Sequence, residues 1–324
     1  MRRWRPPNPT DCPSRGNGHY DHDDEWDCPD PVIPHPSIPT WSGKRLTPPR
    51  YGASMLDTSI YQVTPGARLV LAEHDPAAKT GFEGGKTEGK LALPALNQRL
   101  SVLQERLWAE SKQSLLVILQ AVDTGGKDGT IRNVFSGVNP QGVRVVGFGK
   151  PSEAELARDY LWRIHQETPP DGNIKVFNRS HYEDVLVVRV HELAPETTWS
   201  RRYGHIREFE RILTDEGTTI VKLFLNISKE EQRRRLQARL DKPDKHWKFN
   251  KADLADRARW DDYQRAYEDA ISETSTEYAP WHIVPADRKW YRDLVAASIV
   301  IAALERMNPR YPEPEDGLDS LEIT

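Results

Sequence analysis

The sequence has few cysteines and no long apolar segment. Its 324 residues include only two cysteines, Cys12 and Cys28, so no disulfide framework can stabilise the region that follows them. No run approaches the roughly 18 apolar residues of a membrane-spanning helix. The arginines near the N-terminus precede no apolar segment of the kind found in a signal peptide. We therefore predict a cytoplasmic protein that has no membrane partner.

The chain also lacks a strong overall charge. Its formal net charge is −4 and its mean hydropathy is −0.72, which argues against a general nucleic-acid binder. Basic residues are instead concentrated in residues 228–251, where nine Lys/Arg stand against four Asp/Glu, a local net charge of +5. A basic surface on an acidic protein indicates a specific anionic ligand.

The first 57 residues differ in composition from the rest of the chain. Eleven of the 25 prolines fall in the first 49 residues, among Asp, Gly and Ser. This composition cannot bury enough apolar surface to offset the entropy of ordering. We predict a poorly ordered extension over residues 1–57, a globular domain over 58–310 and a tail over 311–324. The Cys and His residues of the extension match no zinc-site spacing, so we assign no metal site to them.

Short apolar runs and helical patterns alternate after residue 61. The apolar runs predict five buried strands, at Leu115–Leu119, Val143–Phe148, Ile174–Phe177, Thr219–Leu225 and Trp281–Val284. Helices are predicted over residues 91–112, from Gly126, over Ser152–His165, from Glu183, from Arg201, from Ser228, over Ala252–Thr274 and over Lys289–Met307. This alternation predicts an α/β fold, in which helices cover both faces of a parallel sheet and the ligand lies at the carboxyl ends of the strands.

The most informative segment is residues 119–130, LQAVDTGGKDGT, which leaves an apolar strand and enters a helix. Its glycines, Gly125, Gly126 and Gly129, let backbone N–H groups approach a phosphate at the helix N-terminus. Lys127 adds a positive charge for the transferring group.

Two positions of this loop depart from the usual phosphate-loop pattern. Ala121 replaces the first glycine, and Asp128 replaces the Ser/Thr that binds the metal. A further carboxylate, Asp123, would be repelled by a phosphate unless a cation lay between them, so it is a candidate Mg²⁺ ligand. The alternative is that Asp123 only forms the turn, and that the glycines merely connect strand to helix.

Several ordered motifs together give a family resemblance. They are the loop, residues 138–142 (VNPQG), residues 174–185 (IKVFNRSHYEDV) and residues 239–249 (RLDKPDKHWKF). From about Tyr61 to Met307 the chain resembles the polyphosphate kinase 2 family, and within it the class III subgroup. The resemblance implies a three-layer, thymidylate-kinase-like P-loop fold with a helical lid. It also implies Mg²⁺-dependent phosphate transfer between polyphosphate and nucleotides without a protein phospho-intermediate, with Mn²⁺ as the alternative ion.

The resemblance also implies roles for individual residues. Asp123 corresponds to a metal-binding aspartate, Lys127 to a phosphate lysine and Arg179 to a phosphate-binding arginine, and these three are the predicted catalytic residues. Asn178 stands where other subgroups have Asp, which makes it a weaker candidate metal ligand. Apart from the resemblance, Glu183 stands in the first turn of a predicted helix, where its carboxylate complements the helix dipole, with metal or substrate-hydroxyl contact as the alternative. The predicted phosphate- and nucleotide-binding set is Gly125, Gly126, Asp128, Gly129, Thr130, Arg132 and Asn178.

The basic segment predicts a lid, at about residues 228–251, that closes over phosphates and breaks at Pro243. Its candidate polyphosphate-binding residues are Arg239, Lys242, Lys245 and Lys248. The alternative is a solvated charged face. We expect Trp247 and Phe249 to pack at the base of the lid, and the alternative is that they stack on a nucleobase. The aromatic residues Trp260, Tyr263 and Tyr267 recur at helical spacing and predict core contacts.

We predict an enzyme whose partners are inorganic polyphosphate and adenine nucleotides, AMP and ADP, with guanine nucleotides as an alternative. The nearest alternative is an ATP-dependent nucleotide kinase of the same fold. A second is a non-catalytic polyphosphate-binding protein, supported by Asp128 and Asn178 at positions where the pattern expects other residues. A symmetric homo-oligomer is a further expectation, because such assemblies are common.

Overall fold

The computed structural model describes residues 56–318, 321 and 323, and these belong to one compact unit. The predicted extension, apart from its last two residues, lies outside the described residues. So do its cysteines and histidines. None of the helices in the described part of the chain is long and apolar enough to cross a membrane.

A sheet of five parallel strands forms the centre of the fold. The strands are β1 (Ser114–Gln120), β2 (Val143–Gly147), β3 (Ile174–Asn178), β4 (Thr218–Asn226) and β5 (Trp281–Pro285), in the order β2-β3-β1-β4-β5. All five predicted strands are confirmed, each within one residue at either end. Every residue of β1 is buried, as expected for a continuous apolar run at the centre of a parallel sheet.

Ten α-helices of the described chain flank this sheet. They are α1 (Lys86–Glu110), α2 (Lys127–Val134), α3 (Glu153–Leu156), α4 (Trp162–His165), α5 (Val187–Val190), α6 (Glu196–Asp215), α7 (Lys229–Asp241), α8 (Ala252–Ala258), α9 (Trp260–Thr274) and α10 (Lys289–Met307). Short 3₁₀ turns occupy Thr58–Tyr61, Leu71–Glu73, His181–Asp184 and Pro243–Lys248. The α/β class and the flanking helices agree with the sequence prediction.

Some predicted helices are wrong in extent. The predicted helix Ser152–His165 is two single turns, α3 and α4. Ser152 caps α3 as expected, accepting from the N–H of Glu155 at 3.3 Å, but the Asp159 carboxylate accepts from the N–H of Leu161 at 3.0 Å. A side-chain bond of this kind offers the backbone a turn in place of helix.

Three other helices also differ from the prediction. The helix predicted over Ala252–Thr274 is divided at Arg259, whose guanidinium donates to the carbonyl of Val190. The helix predicted from Glu183 is a 3₁₀ turn followed by α5, because the Ser180 hydroxyl caps the turn by accepting from the N–H of Tyr182 at 3.2 Å. The helix predicted from Arg201 begins earlier, at Glu196.

A buried polar network fixes the segment that follows β3. The ammonium group of Lys222, on β4, lies 2.6 Å from Oε2 of Glu210 and donates to the carbonyl of Thr274 at 2.7 Å. The hydroxyl of Tyr182 donates to Oε1 of Glu210 at 2.7 Å. Because these groups are fully buried and paired, the chain just beyond β3 is held against β4, α6 and α9.

Candidate active site

The two most informative sequence motifs follow neighbouring strands. In the register of β1 and β3, Leu119 lies opposite Asn178, and the N–H of Arg179 donates to the carbonyl of Leu119 at 3.2 Å. The glycine-rich loop after β1 and the residues after β3 therefore emerge side by side at the carboxyl edge of the sheet. Ligands of parallel α/β folds bind at this edge.

Two residues of the loop have backbone conformations that favour glycine and are unfavourable for a residue with a side chain. Gly126 has φ of +103° and Thr124 has φ of +62°, both in the left-handed region. A Cβ on Gly126 would overlap the guanidinium of Arg292, and a Cβ on Gly125 would overlap that of Ala121. The methyl group of Ala121 thus occupies space against the loop, where the usual pattern has its first glycine.

Lys127 begins α2 and is almost completely buried. Its Nζ donates to the carbonyl of Ala121 at 2.8 Å, so the side chain folds back across the loop. Burial lowers the pKa of Lys127 to about 8, and the neighbouring Arg179 guanidinium acts in the same direction. The loop therefore holds a positive group whose charge is poorly compensated by water.

Arg179 joins the two motifs by ion pairs. Its Nη2 lies 2.7 Å from Oδ1 of Asp123, and its Nη1 lies 3.4 Å from Oε2 of Glu183. Burial alone would lower the pKa of Arg179, but the Glu183 and Asp123 carboxylates outweigh it and raise that pKa. The φ of Arg179 is +64°, a conformation that costs a residue with a side chain about 1–2 kcal/mol. Such strained residues cluster at functional sites.

The two unusual polar residues of the motifs bind each other. Nδ2 of Asn178 donates to Oδ1 of Asp128 at 2.8 Å. An aspartate at position 178 would place a second carboxylate against that of Asp128, and like charges at this distance repel strongly. The asparagine therefore complements Asp128. The two residues form a matched pair in which Asp128 departs from the phosphate-loop pattern and Asn178 replaces the Asp of other subgroups.

The other residues of α2 that were predicted to bind phosphate or nucleotide lie in three different environments. The N–H of Thr130 and its hydroxyl both bond to the carbonyl of Gly126, and Thr130 is buried within the helix. Arg132 lies in the last turn of α2, away from the end that follows the loop. Gly129 is in the first turn, where a Cβ would approach Nη2 of Arg292 to 3.2 Å.

A pocket opens beside the ion pairs and has one aromatic wall. It is lined by Ala121, Val122, Asp123, Arg179, Glu183, Leu186, Val187, Gln232, Asp256, Trp260, Tyr263 and Tyr267. The three aromatic residues, on α9, share a helix face, and Tyr263 and Tyr267 are buried as expected. Polar groups that can bind an anion or a cation thus face an apolar surface across one cavity.

The predicted basic segment is partly confirmed in its shape. α7 ends at Asp241, and Pro243 starts the 3₁₀ turn Pro243–Lys248, so the chain breaks where the proline predicts. The side chain of Trp247 is 78% exposed, and the expectation that it packs at the base of this segment is wrong. Its ring instead lies 4.8 Å from the ammonium of Lys248.

The candidate cations of this segment have local partners. Nη1 of Arg239 donates to the carbonyl of Lys248 at 3.1 Å and lies 3.3 Å from Oδ2 of Asp253. Nζ of Lys245 lies 3.6 Å from Oδ2 of Asp244. Lys242 links α7 to the 3₁₀ turn. Lys245 and Lys248 thus lie on the 3₁₀ turn and Lys242 directly before it, whereas Arg239 is still on α7.

Sequence reasoning missed three buried side chains that contact the loop: Gln232 and Arg235 of α7, and Arg292 of α10. Arg292 packs against Gly126 and is paired with Asp293 at 2.6 Å. Arg235 belongs to a run of three arginines, and no pattern in that run separates it from its exposed neighbours. Only the orientation of α7 in the fold makes the distinction.

The oxygen ligands at the site suit a hard divalent cation. Within the described residues no group of three or more His, Cys, Asp or Glu side chains could hold a metal by itself. Mg²⁺, however, is commonly bound by one or two carboxylates together with waters and substrate phosphates. The site has two carboxylates, those of Asp123 and Glu183, both beside Arg179.

These features define a P-loop kinase: a parallel sheet, a glycine-rich loop leading from strand to helix, a buried loop lysine, and an arginine directly after the neighbouring strand. The family model Polyphosphate kinase 2 matches residues 84–312, and the chain belongs to that family, as its motifs predicted. Individual relatives are similar in sequence to this chain over most of its length.

One relative, the AMP/ADP-polyphosphate phosphotransferase of Meiothermus ruber, is 58% identical over 263 residues, covering 81% of this chain and 98% of the relative. The ADP-polyphosphate phosphotransferase of Rhodopseudomonas palustris is 48% identical over 270 residues, covering 80% and 93%. The crystal structure of polyphosphate kinase 2 from Arthrobacter aurescens TC1 superposes with a TM-score of 0.78 at 45% identity, covering 81% of this chain and 93% of that one.

Proposed function

We propose that this protein transfers phosphate between inorganic polyphosphate and adenine nucleotides, converting AMP to ADP and ADP to ATP. The observation that carries the proposal is the convergence of Asp123, Lys127 and Arg179 at one edge of the sheet. The names of the relatives from M. ruber and R. palustris support polyphosphate as the phosphate donor and AMP or ADP as the acceptor. Guanine nucleotides are an alternative acceptor.

The reaction needs alignment and charge neutralisation rather than a protein nucleophile. A terminal phosphate oxygen of the nucleotide attacks the terminal phosphorus of polyphosphate, forming a new P–O–P bond. The last P–O–P bond of the polyphosphate breaks, and the shortened chain leaves with the electron pair. Lys127 and the N–H groups at the start of α2 bind the transferring phosphate, and Arg179 neutralises charge that develops on its oxygens.

Phosphotransferases of this family generally need a divalent metal, and we propose Mg²⁺, with Mn²⁺ able to replace it. Asp123 is the proposed principal ligand, with Glu183 and Asn178 as further candidates. The bound ion would neutralise phosphate charge and orient the reacting groups. Because Arg179 pairs with both carboxylates, it competes with the ion for them and balances their charge in the free protein.

The test is direct. Purified protein is incubated with polyphosphate and MgCl₂ and with AMP, ADP or GDP, and the nucleotides are separated chromatographically. We expect ATP from ADP and ADP from AMP, with no product in EDTA. Turnover with ATP as donor but none with polyphosphate would establish the nucleotide-kinase alternative. Polyphosphate binding without turnover in any arm would establish the non-catalytic alternative.

A further inference from the structure

Side chains of α7 bind the backbone carbonyls of three consecutive loop residues. Nε2 of Gln232 donates to the carbonyl of Asp123 at 3.1 Å. Nη1 of Arg235 donates to the carbonyls of Thr124 and Gly125, each at 3.0 Å. Gln232 and Arg235 are three positions apart and therefore lie on one face of the helix.

Arg235 is buried, with only 9% of its surface exposed, so its guanidinium is not a surface charge. Its Nη2 donates to the carbonyl of Ala286, just beyond β5, at 2.5 Å, and its Nε donates to Oε1 of Glu231 at 2.5 Å. One planar group thus ties α7 to the loop and to the end of β5. An ammonium group could not bind these partners together, because it lacks the fixed fork of donors.

The geometry of the loop explains why these bonds are needed. A loop that turns its N–H groups toward a phosphate must turn carbonyls away from it, and a buried carbonyl without a donor costs about 1–3 kcal/mol. Thr124, in the left-handed region, adds a backbone conformation that is unfavourable by itself. Bonds from outside the loop must therefore hold its shape.

We propose that Gln232 and Arg235 are positioning residues that hold the phosphate loop in the conformation needed for transfer. They act through the carbonyls of Asp123, Thr124 and Gly125. This inference rests on the proposed function, since its main readout is phosphate transfer from polyphosphate.

Two variants and two matched controls test it. Arg235→Lys keeps the positive charge but loses the fork, and Gln232→Met removes the donor to Asp123. Arg233→Lys changes an arginine of the same helix whose guanidinium bonds to the exposed Glu230. Arg257→Met removes the other side-chain partner of Gln232, the bond of Arg257 Nη1 to Oε1 at 3.0 Å, and leaves the bond to the loop in place.

Each protein is assayed with polyphosphate and ADP at a temperature well below its unfolding midpoint, which is measured separately. We expect kcat to fall about 10- to 100-fold in Arg235→Lys and Gln232→Met, because a small misplacement of the loop misaligns the transferring phosphate. KM for ADP should change far less. Both controls should keep the wild-type kcat.

The effects of the two variants should also be non-additive. In an Arg235→Lys background, Gln232→Met should lower kcat by a smaller factor than in the wild type, since both changes release carbonyls of the same loop. If the unfolding midpoint falls while kcat stays at the wild-type value, or if the controls lose as much activity as the variants, the positioning role is wrong. Inactive wild-type protein would instead refute the proposed function.

Discussion

The guanidinium of Arg179 lies 2.7 Å from the carboxylate of Asp123, although the two residues are 56 positions apart in the chain. The pairing of β1 with β3 brings them together, because it places the ends of these strands side by side. This ion pair connects the glycine-rich loop to the arginine that we propose neutralises phosphate charge.

We predict that Arg179→Met lowers kcat/KM by about 10²–10³, the usual loss when one charge-stabilising donor is removed. The matched control is Arg189→Met, since Arg189 pairs with Asp269 and lies over the ring of Trp199, away from the loop. Steady-state kinetics of both variants with polyphosphate and ADP provide the measurement. Equal losses in the two would mean that the loss in Arg179→Met reflects general disruption of this region and not a role in transfer.

The lowered pKa of Lys127 predicts a pH dependence of activity. Lysine is charged below its pKa, so kcat/KM should fall as the pH rises through about 8. Bound phosphates favour the charged form, so the corresponding limb in kcat should lie at higher pH. Lys127→Arg keeps its charge throughout this range, and any activity it retains should lack the limb. A limb near pH 8 that persists in Lys127→Arg would assign it to another group.

The same shift has a consequence for stability with the opposite sign. Between about pH 8 and the ordinary lysine value near 10.4, the unfolded chain holds a proton on Lys127 that the folded protein has released. This group therefore makes the folded protein more stable as the pH rises through that window. Urea unfolding of the wild type and of Lys127→Met across this pH window provides the measurement. The free energy of unfolding should rise more with pH in the wild type than in the variant, and the difference is the contribution of Lys127.

The basic segment should distinguish polyphosphate from the nucleotide. A long polyanion can contact several exposed cations at once, each contact being modest and screened by salt. Replacing Lys242, Lys245 and Lys248 together by Gln should raise KM for polyphosphate strongly and KM for ADP much less. The loss should be larger for long polyphosphate chains, and the variant should be less sensitive to salt. Equal increases for both substrates would indicate failed closure of the whole site.

The N-terminal extension should be dispensable for activity, with a boundary that the structure refines. Leu56 is buried in the core cluster, and Asp57 caps the first 3₁₀ turn by accepting from the N–H of Ser59 at 3.0 Å. A chain beginning at Gly52 should therefore keep both its specific activity and its unfolding midpoint. A chain beginning at Thr58 should remain active but unfold at a lower temperature, by about 2–4 °C per kcal/mol lost. Loss of activity in a folded chain beginning at Gly52 would contradict this prediction.

Local chemistry made the strands and the loop predictable. The LLVIL run of β1 is apolar at every position because this strand is buried on both faces of the sheet. Its ends could therefore be placed within one residue. The loop glycines and Lys127 form a contiguous pattern with one physical purpose. Asn178 and Arg179 were identified by family resemblance and Glu183 by its place at a predicted helix start, and the structure brings them to the loop through strand pairing.

The features that the sequence did not predict correctly depend on contacts between distant segments of the chain. The division at Arg259 involves a carbonyl on α5, which no helical pattern within residues 252–274 contains. Arg235 is buried and Arg233 is exposed because α7 turns one face toward the loop, yet both belong to the same basic run. The exposure of Trp247 follows from the 3₁₀ turn that carries it outward. Composition describes the segment, whereas tertiary packing assigns each residue its role.

The position of Arg179 between two carboxylates also bears on turnover. An enzyme that binds highly charged substrates must release products of nearly the same charge, and a strongly electropositive empty site would retain them. Here the arginine has two internal counter-ions, Asp123 and Glu183. A phosphate that bound Arg179 would compete with this internal pairing, so part of its binding energy would be offset. Such a site would release products more readily, which suits the proposed reaction, whose substrates and products all carry phosphate.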